Sequence, residues 1–145
     1  MMPTRPTLRR LAAAATLVFA VWLPGSAEPQ TADLVAQGRH ALDADKVDEA
    51  IAILERAVTA EPTNPAALAW LGSAQVRKAR SASIFNAPGW VKKGFNTLDE
   101  AVERFPDVFI VYMVRGITAT QVPDLFRKAP VAVKDLSAVV AMKEK

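Results

Sequence analysis

Small and apolar residues recur at helical spacing in two stretches of the chain, and each stretch ends at a proline. In KVDEAIAILERAVTAEP, Ala50, Leu54 and Ala57 share one helical face because they are separated by four and three residues. The run KKGFNTLDEAVERFP places similar residues at the same spacings, namely Gly94, Leu98 and Ala101. A proline disfavours helical backbone at the residue before it, so helices are predicted to end at Glu61 and Phe105.

Glycines mark a second periodic feature. Gly38 and Gly72 are 34 residues apart, and each lies in an apolar stretch of helical character. Pro62 precedes Gly72 by ten residues, and Pro106 precedes Gly116 by the same distance. A glycine at the crossing of two paired helices lets their backbones approach closely. The pattern therefore predicts a helical hairpin that is repeated along the chain.

This pattern is similar to the tetratricopeptide repeat (TPR), a helix–turn–helix with glycine in the first helix, alanine in the second and proline at the end. The resemblance covers about residues 31–142 and extends to exported bacterial TPR proteins of unknown function. It implies an all-α fold over 28–145, a short right-handed α-solenoid of about three hairpins. The repeats would span about 31–64, 65–108 and 109–142.

The second repeat is ten residues too long, and the extra length is predicted near residues 80–90, between its two helices. There Ile84, Phe85 and Trp90 surround Asn86–Gly89, whose composition predicts a turn. Large apolar side chains in such a segment either fold back on the helices or contact a partner. Folding back is the preferred interpretation. The third repeat is about four residues too long, in TQVPDLFRKAP.

Residues 1–27 have the pattern of a secretory signal peptide. Three arginines precede a run from Leu11 to Leu23 that is uncharged and apolar except for Thr16, and Pro24-Gly25 and small residues follow it. A run of 13 residues is short for a membrane span, which needs about 20. A buried N-terminal helix and an uncleaved anchor are the alternatives. We expect a periplasmic or secreted protein without a membrane span after cleavage.

The composition of the chain excludes several kinds of chemical site. The chain has 145 residues, no cysteine and one histidine, which excludes disulfides, thiolate metal sites and multi-histidine metal sites. The net charge of +3 comes from the three arginines of the predicted signal, because the remaining 15 basic and 15 acidic residues balance. Nucleic-acid binding, which needs surplus positive charge, is therefore not expected.

Charge is unevenly distributed along the mature chain. Residues 28–61 carry a net charge of −5, and residues 62–95 carry +5 with no acidic residue. Either the acidic first repeat faces the basic second repeat, or the basic residues around the insertion form a patch that docks an anionic partner.

Catalytic signatures are missing from the sequence. His40 is the only candidate for a histidine base, and no nucleophile motif accompanies it. The carboxylate pairs Asp48-Glu49 and Asp99-Glu100 occupy equivalent repeat positions, which argues against a unique site. No phosphate-binding glycine motif and no metal-spaced cluster occurs. We therefore expect neither enzymatic activity nor a cofactor or metal.

The resemblance also implies a concave groove, lined by the first helix of each repeat, that holds peptides. Its main residues would be Val35, Arg39, Ala69, Ser73, Arg77, Met113 and Ile117. Further positions would be Ala32, Ala66, Val76 and Ile110. This lining is mostly apolar, so a clamp for a terminal carboxylate is not expected. It suits an amphipathic helix or an extended apolar peptide, unless a segment of the same chain fills the groove.

The sequence thus predicts a non-catalytic scaffold that binds a protein or peptide through the groove. The alternative is an assembly subunit of an envelope or enzyme complex that docks through its inserted loop, with Phe85 and Trp90 as contacts. Apolar residues of the last helix cannot all face the preceding hairpin, namely Val133, Leu136, Val139, Val140 and Met142. We expect that helix to pack against a second copy of the chain or a partner.

Overall fold

The computed structural model describes residues 30–143, which form α-helices and one short 3-10 helix without any strand. The helices are α1 (Thr31–Asp43), α2 (Val47–Ala60), α3 (Pro65–Lys78), α4 (Ala87–Arg104), α5 (Phe109–Thr120) and α6 (Ala129–Lys143), with the 3-10 helix at Asp124–Phe126. The all-α prediction is confirmed for this range. The predicted signal peptide, residues 1–27, lies outside the described residues.

The helix boundaries follow from local chemistry. α2 and α4 end immediately before Glu61 and Phe105, whose backbones leave the helical region because a proline follows each of them. α3 begins where Asn64 Oδ1 accepts a hydrogen bond from the amide of Ala67 at 3.0 Å, with Pro65 at the first helical position. The predicted ends of the second helices are thus confirmed.

Consecutive helices pack in pairs: α1 with α2, α3 with α4, and α5 with α6. α3 also contacts α1, α2 and α5, so it lies at the centre of the molecule. All residues of α3 from Ala67 to Val76 are buried except Trp70, which is partly buried. The core therefore surrounds α3 on most of its sides.

A glycine packs against a leucine in each helical pair. A Cβ atom on Gly38 would lie 2.5 Å from Leu54 Cγ, and one on Gly72 would lie 2.7 Å from Leu98 Cγ. In the third pair, a Cβ atom on Gly116 would lie 3.1 Å from Leu136 Cγ, among its closest neighbours. The expected close approach of the paired helices at these glycines is confirmed. The three glycine–leucine contacts therefore occupy equivalent positions in the three pairs.

The predicted turn at Asn86–Gly89 is wrong. α4 begins at Ala87, so Pro88 and Gly89 belong to its first turn. Proline is tolerated there because the first amides of a helix have no intrahelical partner. Ser83 O accepts hydrogen bonds from the amides of Asn86 and Ala87 at 2.9 and 2.8 Å and so leads the chain into the helix. The extra length of the second repeat is divided between a longer α4 and the connection 79–86.

A second long connection, residues 121–128, joins α5 to α6 and contains the 3-10 helix. Its turn is completed by Arg127, whose φ of 51° is in the left-handed region, and whose amide donates to Asp124 O at 2.8 Å. Over residues 30–143 no helix combines the length and the apolar character that a membrane span requires.

Candidate functional site

The C-terminal ends of α3 and α5 lie side by side. Thr118 Oγ1 donates a hydrogen bond to Ser73 Oγ at 3.0 Å, and both side chains are buried. The two long connections, 79–86 and 121–128, leave these adjacent helix ends. Both departures from the repeat length therefore occur at one end of the molecule, which we call the loop end.

A pocket of about 150 Å³ opens between the two connections. We call it the loop-end pocket. Its walls come from α3, α4, α5 and both connections: Ser73, Val76, Arg77, Ala79, Arg80, Ala87, Val91, Thr118, Gln121, Val122, Pro123 and Phe126. Most of these side chains are apolar, and none is acidic. The Thr118 hydroxyl donates to Ser73 Oγ, and the apolar side chains dominate the rest of the lining.

Two arginines line this pocket. Arg77 Nη1 donates to Leu42 O at 2.6 Å, which holds the guanidinium between α1 and α3. Arg77 Nε is buried and has no hydrogen-bond partner within residues 30–143. Arg80 is exposed, so it lies at the mouth. The repeat pattern predicts Arg77 in the groove; its position at this pocket depends on how the two connections fold.

Large apolar side chains are exposed on the same two connections. Ile84 is 81% exposed, Phe85 91% and Leu125 75%. The preferred interpretation that the insertion folds back is therefore wrong for Ile84 and Phe85. It holds for Trp90, which is half-buried against the cluster shared by α1, α2 and α3. The two predicted insertion contacts thus have different environments, because Trp90 belongs to helix α4 and Phe85 to the connection.

The predicted groove is largely closed. Val35 and Ser73 are buried, and Ala69 has no exposed surface. The reason is that α1 and α5 both pack against α3 and cover the side chains between them. The assignment of these three residues as a contact surface is therefore corrected: they belong to the core.

Other predicted groove residues remain at the surface. Arg39 is exposed, and its guanidinium carbon lies 4.8 Å from the centre of the Trp70 ring, a cation–π arrangement. Ile117 is exposed, and Met113 is half-buried against the core. The accessible part of this face is thus a small set of separate side chains on α1, α3 and α5.

The acidic and basic segments meet at one ion pair in the described chain. Lys78 Nζ lies 2.7 Å from Asp48 Oδ2 and connects α3 to α2. Among residues 30–143, Arg80, Lys92 and Lys93 make no ion pair with a carboxylate. The acidic and basic segments nevertheless face each other near the insertion, because Asp45 and Asp48 line a second depression together with Arg77, Lys78 and Arg80.

A buried ion network, not predicted from the sequence, joins α4, α5 and α6. Arg115 Nη1 donates to Asp99 Oδ1 at 2.8 Å, and its other nitrogens bind both oxygens of Asp135, which is fully buried. The hydrogen bond to Asp135 is the main cause that raises the pKa of Arg115 above its ordinary value, although burial opposes it. A charged residue within the apolar α5 was the available signal.

His40 lies on an exposed surface of α1, beside a shallow depression that Lys46 and Glu49 also line. Within the part of the chain that the structure describes, no three His, Asp or Glu side chains are placed to hold a metal ion. The carboxylate of Asp99 binds Arg115, which gives it a structural role.

Comparisons with known proteins give no match: the chain fits no protein-family model, and neither curated proteins nor solved structures are significantly similar to it.

Proposed function

We propose that this chain is a non-catalytic, exported scaffold of TPR-like repeats, arranged as a short right-handed solenoid, that binds a protein partner. The apolar run at residues 11–23 supports export to the periplasm or cell exterior. Equivalent glycine–leucine contacts in all three helical pairs support the repeat assignment.

The observation that carries the binding proposal is the exposure of Ile84, Phe85 and Leu125 at the loop end. Burying one such side chain is worth about 1.5–3 kcal/mol, so leaving three of them in water forgoes a sizeable gain in stability. Exposed apolar residues beside a pocket are typical of an interaction surface. Docking through the inserted loop, as in an assembly subunit, is therefore the favoured mode.

Peptide binding on the face of α1, α3 and α5 is the second candidate. It is favoured by Arg39 stacked on Trp70 and by the exposed Ile117. It is the weaker candidate because Val35, Ala69 and Ser73, which would form the floor of the groove, are buried.

Capture of the partner distinguishes the two surfaces. The full chain with a C-terminal tag would be expressed in its native host, and envelope proteins that co-purify with it would be quantified by mass spectrometry. We expect Ile84→Ser/Phe85→Ser to lose a partner that Met113→Glu/Ile117→Glu retains. The reverse result would identify the groove face instead. Retention by both variants would refute both proposals.

A further inference from the structure

We infer that the loop-end pocket binds an apolar group of about the size of a benzene ring that carries a carboxylate. The inference rests on the proposed function in placing recognition at the loop end, and it adds the chemistry of the recognised group. A free arylalkyl or branched alkyl acid has this chemistry, and so does an apolar residue beside a carboxylate in a protein partner.

The size and the lining of the pocket indicate which apolar group the ligand carries. A volume of about 150 Å³ is sufficient for benzene, which binds in apolar protein cavities of that size. Val76, Val91, Val122 and Phe126 supply apolar walls. Ser73 and Thr118 share one hydrogen bond, in which Ser73 Oγ is the acceptor, so the two hydroxyls partly satisfy each other. A ring or a branched alkyl group therefore fits the interior.

The positive charge at the pocket indicates that the ligand carries an anionic group. Arg77 and Arg80 both line the pocket, and no acidic side chain does. Arg77 Nε–H has no acceptor within residues 30–143, although it is buried. A buried donor without an acceptor is costly, and a carboxylate is the acceptor that an arginine binds best. Asp45 and Asp48 share a neighbouring depression with both arginines, but neither forms an ion pair with Arg77 or Arg80.

The positions of the two arginines indicate how the ligand is oriented in the pocket. Arg77 is held in place by Leu42 O, so its guanidinium is preorganised. Arg80 is exposed at the mouth and free of ion pairs with carboxylates of residues 30–143. A ligand would therefore insert its apolar group between the valines and leave its carboxylate at the mouth, where Arg80 is exposed.

The test uses 3-phenylpropionate as the probe and 3-phenylpropan-1-ol as its neutral counterpart. Methyl NMR of the full chain would follow Val76, Val91 and Val122 during titration with each compound. We expect the acid to shift these methyl signals and to bind about tenfold more tightly than the alcohol, as charge-assisted hydrogen bonds are the stronger ones. Absence of shifts at these valines, or equal affinities for the two compounds, would overturn the inference.

Matched variants assign the effect to the pocket. Arg80→Gln should weaken binding of the acid about tenfold and leave the alcohol unaffected, whereas Lys92→Gln, which removes an exposed charge on α4, should change neither. Ala87→Phe should fill the pocket and abolish binding of both. Equal affinities of the acid for Arg80→Gln and the wild type would contradict the assigned role of the arginine, even if Ala87→Phe failed to fold.

The outcome separates this inference from the proposed function. Ile84→Ser/Phe85→Ser should retain probe binding, because neither side chain lines the pocket. Probe binding without any captured partner would sustain the inference and refute the protein-binding proposal. A partner captured through Ile84 and Phe85, without probe binding, would do the opposite. Displacement of the partner by the probe would assign the carboxylate to the partner, and an organic acid that co-purifies with wild type but not Ala87→Phe would assign it to a free molecule.

Discussion

Arg115 and Asp135 form a bidentate ion pair between α5 and α6: Nε donates to Oδ2 at 2.7 Å, and Nη2 donates to Oδ1 at 2.8 Å. The same guanidinium reaches Asp99 on α4 through its remaining nitrogen, Nη1. One side chain thus links α5 to both α4 and α6. This link holds α5 against α6, although a long connection separates the two helices in the sequence.

Removing the arginine should strongly destabilise the fold. Arg115→Met would leave the fully buried Asp135 carboxylate without its partner, and breaking such a pair costs about 3–5 kcal/mol of unfolding free energy. Arg115→Met/Asp135→Leu should recover a large part of that loss, since no charge then remains buried. Urea unfolding measures both. A loss below about 1 kcal/mol for the single variant would show that the pair is not a stabilising contact.

The contribution of Arg115 should not vary with pH near neutrality. Its pKa is raised in the folded state, so the stabilisation is complete below the unfolded pKa and is lost only as pH rises through the folded value. Both values lie far above neutral pH for an arginine. The difference in unfolding free energy between wild type and Arg115→Met/Asp135→Leu, which retains no buried carboxylate, should be the same at about pH 6.5 and about pH 9. A marked fall at the higher pH would contradict this.

Two glycines of α4 should respond in opposite directions to alanine. A Cβ atom on Gly94 would lie 2.6 Å from Gly72 O, so Gly94→Ala must separate α3 and α4 and should cost about 2 kcal/mol. A Cβ atom on Gly89 would meet nothing within 4 Å, so Gly89→Ala should stabilise the helix by about 0.4–1 kcal/mol. Thermal unfolding compares the two directly. A neutral Gly94→Ala would mean that the helices can move apart freely.

The two aromatic residues of the insertion should also differ. Phe85→Ala should change the unfolding free energy by less than about 0.5 kcal/mol, because the side chain is almost fully exposed. Trp90→Ala should cost about 2 kcal/mol, since it removes a half-buried ring from the cluster of α1, α2 and α3. Chemical denaturation of each variant provides the comparison. Equal losses would place Phe85 in the core.

Self-association through the last helix remains a prediction. Val133 and Val140 are 68% and 57% exposed and lie seven residues apart, on one face of α6. Sedimentation equilibrium at micromolar concentration should show association of the wild type that Val140→Lys abolishes, while Ala52→Lys on the exposed face of α2 retains it. A monomeric wild type that behaves like Val140→Lys would show that this face needs no second copy.

The sequence was sufficient for the helices and for their pairing, because the spacing of Ala50, Leu54 and Ala57 and the prolines after α2 and α4 act locally. Burial of Ala69 could not be predicted from spacing, since it depends on how closely α1 and α5 approach α3. The loop-end pocket could not be predicted from the sequence for a related reason. Its two connections are about 40 residues apart in the sequence and meet only after the helices have stacked. The exposure of Phe85 could not be predicted, because a local pattern does not tell which side of a connection faces the solvent.

Length variation in this chain is confined to one end of the helical stack. The connections at the opposite end, 61–64 and 105–108, have four residues each, whereas 44–46, 79–86 and 121–128 have three, eight and eight. The short ones set the spacing between successive pairs, so a change there would disturb every later helix. At the loop end, insertions cost little in chain entropy and leave the glycine–leucine contacts in register. Evolution could therefore remodel what this molecule recognises by lengthening connections at that end alone, without rebuilding the core.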